Sequence, residues 1–240
     1  GKKTLLIDLD PQTNATFSSV GIDAWQKHAD EKGTVADLLG ARQHTSAEEV
    51  RKTVEQVRME EVFDNVDLIP SHIDLFTVDL DLANAAARER KLKKSLRPVL
   101  DYYDLIVCDC PPNLTIPTQN ALACSSHFVV PISRDFLSGM GVGLLLNRVK
   151  ELSDDLEVEI SNAGIVISRV GRPAQHREQT EQSVREAFGE LVLDTVIKER
   201  SSVSEAAEEH KSIFEMNDQS AKDEFAAVSR VILERIGVLD

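Results

Sequence analysis

The sequence predicts an α/β protein with a mostly parallel sheet flanked by helices. Short runs of almost uninterrupted apolar residues recur along the chain, and helical patterns separate them. Strands that are apolar on both faces are typical of parallel sheets covered on both sides. A length of 240 residues suits one α/β domain spanning residues 1–240, and no repeat or composition break argues for a second domain.

Apolar runs and helical patterns alternate along most of the chain. The predicted strands cover residues 4–7, 66–69, 105–108, 127–132, 163–168 and 193–197. The predicted helices cover residues 34–39, 46–57, 79–100, 141–152, 175–188 and 221–236. Thr34 is a predicted N-cap, and Ser46 with Glu49 has capping-box spacing. The longest helix is predicted to bury Leu92, Leu96 and Val99 on one face.

Charge and cysteine content restrict the classes of function. The chain carries 27 Lys and Arg against 41 Asp and Glu, a net charge of −14, which argues against a surface covered by nucleic-acid contacts. An odd set of three cysteines, Cys108, Cys110 and Cys124, suggests a reducing cytoplasm. Cys108 and Cys110 lie in an apolar run without a second pair at zinc spacing, so the core interpretation is favoured over metal ligation.

Three aspartates follow predicted strands at positions where parallel sheets bind ligands. Asp8 and Asp10 come after the first strand, and Asp109 comes after the third. The alternative for each is a loop-starting or helix-capping residue. Residues 104–112 have the form of a Walker B strand, which delivers one carboxylate for Mg²⁺, usually through water.

Longer segments carry a family resemblance. Residues 8–16, Asp-Leu-Asp-Pro-Gln-Thr-Asn-Ala-Thr, are similar to the DxDPQxNAT stretch of the ParA/Soj partition ATPases. Residues 67–71 resemble their DLIPA/S strand, and residues 109–112 resemble their DCPP segment. Further matches follow in order to the end of the chain, whereas MinD-like ATPases share the aspartates but less of the surrounding sequence.

The resemblance implies a P-loop NTPase (ParA/MinD-like) fold and an ATP site with Mg²⁺. In this family Asp10 matches the catalytic residue that positions the attacking water. Asp109 matches the carboxylate associated with Mg²⁺, and Asp8 matches a second acid near the metal. Asp8, Pro11 and Asp109 are therefore the predicted cofactor-binding residues, with Asp109 and Asp8 holding the metal through water.

The resemblance also implies partners. They are a second copy of the chain in an ATP-dependent homodimer, a ParB-like centromere-binding protein, and DNA bound without sequence preference. The candidate DNA contacts are Arg169, Arg172, Arg177, Arg185 and Arg200. The other basic run, residues 88–97, is interpreted as a solvated helix face. The expected location is the cytoplasm, with the nucleoid as a candidate site, and residues 234–240 lack the basic-flanked apolar tail of a membrane anchor.

One family motif does not occur in the 240 residues. The phosphate loop KGGVGKTT is absent, and Gly1-Lys2-Lys3-Thr4 does not replace it because Thr4 is expected to open a strand, not a helix. We expect about 30 further residues upstream, which would form the first strand, the P-loop and the first helix of this fold. The 240 residues alone are therefore expected to be inactive, as a truncated domain or a naturally loopless relative, with exposed sheet edges.

Three functions stay open from the sequence. The first is an ATP-dependent dimerising switch in plasmid or chromosome partitioning, with Mg-dependent ATP hydrolysis in the intact protein. The second is a non-enzymatic interaction module with a ParA fold. The third is a MinD-like positioning ATPase.

Overall fold

The computed structural model describes residues 1–40, 52–133, 139–171 and 175–239. The chain divides into two compact units, residues 1–124 with 207–211, and residues 125–206 with 212–240. The single domain over residues 1–240 stays a prediction, and the two units are described separately below.

A four-stranded sheet forms the centre of the first unit. Its strands are β1 (Thr4–Asp8), β2 (Met59–Phe63), β3 (Val66–Ile69) and β4 (Leu105–Asp109), in the order β2-β3-β1-β4. β1 pairs in parallel with both β3 and β4, whereas β2 pairs antiparallel with β3. The predicted α/β class with a mostly parallel sheet is confirmed.

β1 is one of the two inner strands of this sheet. Leu5 and Ile7 of β1 are completely buried, since β1 has a neighbour on each side. β1 begins at Thr4, so residues 1–4 lead into a strand, as predicted. β4 forms one edge of the sheet in the described residues, and Val107 on it is 41% exposed, an apolar side chain at a strand edge.

Helices of the first unit surround this sheet. They are α1 (Asn14–Val20), α2 (Ile22–Glu31), α3 (Val35–Leu39), α4 (Val54–Val57), α5 (Val78–Asp81), α6 (Lys91–Leu96) and α7 (Ile116–Cys124). Thr34 caps α3 by accepting from the backbone N of Ala36, as predicted. The predicted capping pair Ser46 and Glu49 lies outside the described residues. The sequence pattern did not predict β2, α1 or α2.

The single helix predicted over residues 79–100 is wrong. α5 and α6 are separate, and a 3₁₀ turn follows over Arg97–Tyr102. The buried amide of Asn120 accounts for the new start, because its Oδ1 accepts from the backbone N of Leu92 and its Nδ2 donates to the carbonyl of Arg88. A partner from α7 thus satisfies backbone groups that a continuous helix would have used internally. The predicted apolar face is nevertheless correct, since Leu92, Leu96 and Val99 are buried.

The second unit contains a parallel pair of strands, β5 (His127–Ser133) and β6 (Ser161–Ser168). The strand predicted over residues 193–197 is wrong, because in the described part of the chain this region has isolated bridges, Ile165 to Val192 and Val170 to Lys198, and no strand. The guanidinium of Arg185 donates to the carbonyls of residues 193 and 194. The segment still pairs with β6, because the backbone N atoms of Leu193 and Ile197 donate to the carbonyls of Ile165 and Ile167.

Helices α8 (Gly139–Asp155), α9 (Gln175–Phe188), α10 (Ser201–Glu208) and α11 (Gln219–Arg235) complete the second unit. Val228 of α11 is buried with Val166 and Leu193, and Ile232 packs against them, so an apolar face of the last helix covers part of the core of this unit. Across the described ranges, no helix combines the length and apolar character that crossing a bilayer requires.

Candidate functional site at the ends of β1 and β4

The parallel register of β1 and β4 brings the predicted acids together. Asp8 lies directly opposite Asp109, and each is the last residue of its strand. The backbone N of Leu9 donates to the carbonyl of Asp109 at 2.8 Å, which continues the pairing past the strand end. Asp10 follows two residues after Asp8, so three carboxylates occupy the carboxyl edge of the sheet, where parallel sheets bind ligands.

The buried side chain of Asp8 holds the loop that follows β1 through hydrogen bonds. Its side chain is fully buried. Oδ1 accepts from the backbone N of Asp10 at 3.0 Å, and Oδ2 accepts from both the backbone N and Oγ1 of Thr16 at 2.9 and 2.7 Å. Burial raises the pKa of Asp8, while these hydrogen bonds act in the opposite direction. Its predicted role beside a metal stays a prediction.

A tight turn holds Asp10 and Pro11. The Oδ1 atom of Asp10 accepts from the backbone N of Gln12 at 2.9 Å, and the carbonyl of Pro11 accepts from Oγ1 of Thr13 at 3.2 Å. Thr13 has a φ of 61°, a left-handed conformation that is costly for a β-branched residue. Strained backbone of this kind persists where surrounding contacts fix it, often at functional sites.

Asp109 has the most strongly perturbed carboxyl group of the three. Burial, followed by the negative charges of Asp8 and Asp10, raises its pKa to about 6. Among the described residues no three His, Cys, Asp or Glu side chains form a ready set of metal ligands. The strand-end carboxylates fit Mg²⁺, which binds through one or two carboxylates and keeps several water ligands.

Two hydroxyl residues at this site had no role predicted from the sequence. Oγ1 of Thr16, in α1, donates to Asp8, and Oγ of Ser71, just after β3, donates to the carbonyl of Asp10 at 2.6 Å. Both residues belong to the segments that carry the family resemblance. A fully buried hydroxyl near a strand-end acid is the signal that identifies them, and burial becomes visible only in the fold.

The three cysteines lie close to this site but belong to the packing of the first unit. Cys108, Cys110 and Cys124 are free, half-buried thiols that pack against the hydrophobic core. Burial, together with nearby acidic groups, raises the pKa of Cys110 to about 12. This thiol therefore stays protonated at neutral pH.

The arginines predicted to contact DNA belong to the second unit. Arg200 donates to Glu224 at 2.7 Å and lies 3.8 Å from Asp218. Arg185 pairs with Glu181 at 2.9 Å. Arg169 is exposed, whereas Arg172 and the side chain of Arg177 lie outside the described residues. These DNA contacts stay predictions.

Comparison with known proteins shows the family of the chain. The family model of an AAA domain matches residues 1–162, and the chain belongs to this family of ParA/Soj-type P-loop ATPases. The sporulation initiation inhibitor protein Soj of Bacillus subtilis is 32% identical over 213 residues, which cover 89% of this chain and 79% of Soj.

Two further proteins are similar to the chain, one in sequence and one in fold. The chromosome-partitioning ATPase Soj of Treponema pallidum is 32% identical over 239 residues, or 99% of this chain and 87% of that protein. The ATP complex of a McdA variant from Cyanothece has a TM-score of 0.80 at 18% identity, covering 100% of this chain and 87% of that chain. The McdA match shows the shared fold.

Proposed function

We propose that the full-length protein is an ATP-dependent dimerising switch in plasmid or chromosome partitioning, and that it hydrolyses ATP at the ends of β1 and β4. The observation that carries this proposal is the register pair of Asp8 and Asp109 with Asp10 beside it. The Soj relatives support the partitioning role. Clustered carboxylates support a site that requires a divalent cation.

In this proposal each of the three carboxylates has a different role. Asp10 orients the attacking water, because an aspartate carboxylate is too weak a base at neutral pH to remove the proton fully before attack. Asp109 holds Mg²⁺ through water, and Asp8 keeps the loop of Asp10 and Pro11 in place. Bound Mg²⁺ supplies neutralisation of the charge on the phosphate oxygens.

The proposed partners are a second copy of the chain, a ParB-like centromere-binding protein and DNA bound through exposed basic residues. The proposed location is the cytoplasm, at the nucleoid. Phosphate contacts need only positive charge, so an exposed arginine such as Arg169 supports DNA binding better than one already paired with acids.

Nucleotide binding by the full-length gene product tests the function. Residues 1–240 contain no G-x-x-x-x-G-K-[ST] string, so the experiment uses the whole coding sequence. Calorimetry with ATP and Mg²⁺ is compared for the wild type, Asp109→Ala and the control Asp101→Ala, an exposed acid of the same unit.

We expect Asp109→Ala to weaken Mg·ATP binding by at least about tenfold, since it removes a carboxylate associated with the cation, while Asp101→Ala binds as the wild type does. Equal affinity in all three proteins would contradict the proposed site. Tight binding without hydrolysis, measured by phosphate release, would instead favour the non-enzymatic module.

A further inference from the structure

We propose that Thr16 and Ser71 are positioning residues for ATP hydrolysis, which act by fixing the backbone on both sides of the Asp10 side chain. This inference rests on the proposed function. It assigns a role to two hydroxyl groups for which the sequence predicted none. It also gives Asp8 a specific task as the end point of their hydrogen bonds.

The hydrogen bonds form one continuous chain. Oγ of Ser71 donates to the carbonyl of Asp10 at 2.6 Å, and the backbone N of Ser71 donates to Oγ1 of Thr16 at 3.0 Å. Oγ1 of Thr16 in turn donates to Oδ2 of Asp8 at 2.7 Å. The chain therefore links the end of β1, the start of α1 and the segment after β3.

Each proton in this chain has a fixed direction. The backbone N of Ser71 can only donate, so Oγ1 of Thr16 accepts there and gives its own proton to Asp8. The carbonyl of Asp10 can only accept, so Ser71 supplies the proton of that bond. Asp8 is therefore the acceptor at the end of this chain, and the hydrogen bonds cannot run in the opposite direction.

Burial makes the arrangement rigid. Asp8, Thr16 and Ser71 are all 0% exposed, so water does not compete for their hydrogen bonds, and the loss of the Thr16 hydroxyl leaves the buried backbone N of Ser71 without this acceptor. Trp25 holds Ser71 from another direction, because its Nε1 donates to the carbonyl of Ser71 at 2.9 Å. Trp25 also stacks on His72, with ring centroids 5.6 Å apart.

These hydrogen bonds restrict the backbone of Asp10. Its backbone N donates to Oδ1 of Asp8 at 3.0 Å, and its carbonyl accepts from Ser71. Both peptide groups that flank the Asp10 side chain are thus fixed, and the backbone N of Gln12 holds the carboxylate itself by donating to Oδ1. Catalysis by positioning is sensitive to displacements of about 1 Å, which can cost about 10²-fold in rate.

The test compares Ser71→Ala, Thr16→Val and the conservative control Thr16→Ser in the full-length protein. Valine keeps the volume of threonine but lacks the hydroxyl, while serine keeps the hydroxyl. We expect kcat for ATP hydrolysis to fall about tenfold in Ser71→Ala and Thr16→Val, with unchanged KM and ATP affinity. Thr16→Ser should keep a rate within about twofold of the wild type.

A double variant and hydrogen exchange complete the experiment. Because the two hydroxyls act in series, Thr16→Val with Ser71→Ala should lose no more than the larger single effect, not the product of both. Amide exchange at Asp10, Gln12 and Thr13 should rise in both single variants, a readout that does not depend on hydrolysis. A purely structural role would lower melting temperature and binding together without the split between kcat and KM.

Several outcomes would overturn the inference. Wild-type kcat in Ser71→Ala and Thr16→Val would do so, as would unchanged amide exchange at Asp10, Gln12 and Thr13. If the wild type hydrolyses no ATP, the proposed function fails by itself. In that case the hydrogen-exchange result still decides whether the two hydroxyls hold the loop.

Discussion

The two units of the molecule treat their charged groups in opposite ways. In the first unit, Asp8, Asp10 and Asp109 lie together, and their mutual repulsion adds to burial in raising the pKa of Asp109 to about 6. In the second unit, Arg200 lies between Glu224 and Asp218. Burial of Glu224 acts to raise its pKa, but its hydrogen bonds and the nearby positive charges outweigh burial, so the pKa is lowered. A cluster of like charges indicates a site where a bound cation would reduce the repulsion, whereas paired charges indicate a structural role.

The comparison also separates candidate DNA contacts from structural arginines. A guanidinium that already pairs with two carboxylates must give up those partners before it binds a phosphate. Arg200 is in that position, whereas Arg169 is exposed. Net charge alone, −14 for the chain, could not make this distinction.

The largest expected effect tests whether a neutral polar group, the side-chain amide of Asn120, stabilises the first unit. Asn120 is fully buried and bonds Leu92, Arg88 and Ile116. Asn120→Ala leaves a backbone N–H and two carbonyls without this partner, so we expect a loss of about 3 kcal/mol in the free energy of unfolding. Urea denaturation measures it, and a loss below about 1 kcal/mol would show that the start of α6 does not depend on this amide.

The next effect sharpens the contrast between like and paired charges. The folded-state pKa of Asp109, about 6, lies above its ordinary value of 3.8, so its ionised form costs the folded protein stability above pH 6. This cost disappears as the pH falls from 6 towards 4, because the folded state then takes up the proton. In Mg-free and nucleotide-free buffer, Asp109→Asn should therefore be more stable than the wild type at pH 7.

The size of that gain in stability follows from the difference between the folded-state and ordinary pKa values of Asp109. A pKa difference of about two corresponds to about 3 kcal/mol in the free energy of unfolding. Partial solvent access reduces the expected gain to about 2 kcal/mol. Chemical denaturation at pH 7 and pH 4 measures the gain, which should vanish at the lower pH. A variant that is less stable than the wild type at pH 7 would contradict repulsion among the acids.

The smallest expected effect concerns DNA. Arg200→Gln and Arg169→Gln are a matched pair that removes one positive charge each. We expect Arg169→Gln to weaken non-specific DNA binding by about two- to threefold and Arg200→Gln to leave it nearly unchanged, because phosphate contacts come from available charge. Fluorescence anisotropy at fixed salt measures both, and a larger loss for Arg200→Gln would reverse the assignment of roles.

The sequence predicted those features that depend on local pattern. The apolar runs at residues 4–7, 66–69 and 105–108 became strands, because a short uninterrupted apolar run is itself the local signal of a parallel strand. The three acids were predicted at strand ends, and the parallel register of β1 and β4 placed Asp8 opposite Asp109.

Features that depend on distant partners were not predictable in this way. The break in the helix over residues 79–100 comes from Asn120, which lies outside that helix in sequence. In the segment 193–197, the carbonyls of residues 193 and 194 bind the side chain of Arg185, a contact that comes from helix α9. The roles of Thr16 and Ser71 depend on a hydrogen bond between residues 55 positions apart, which no local pattern contains.

The most direct test of the account is ATP turnover by the full-length protein with Asp10→Ala. We expect kcat to fall by about 10²-fold, as expected for the loss of a group that positions the reacting water, while the affinity for Mg·ATP stays within about twofold of the wild type. Turnover at the wild-type rate in Asp10→Ala would contradict the central claim that the carboxylates at the ends of β1 and β4 form the hydrolytic site.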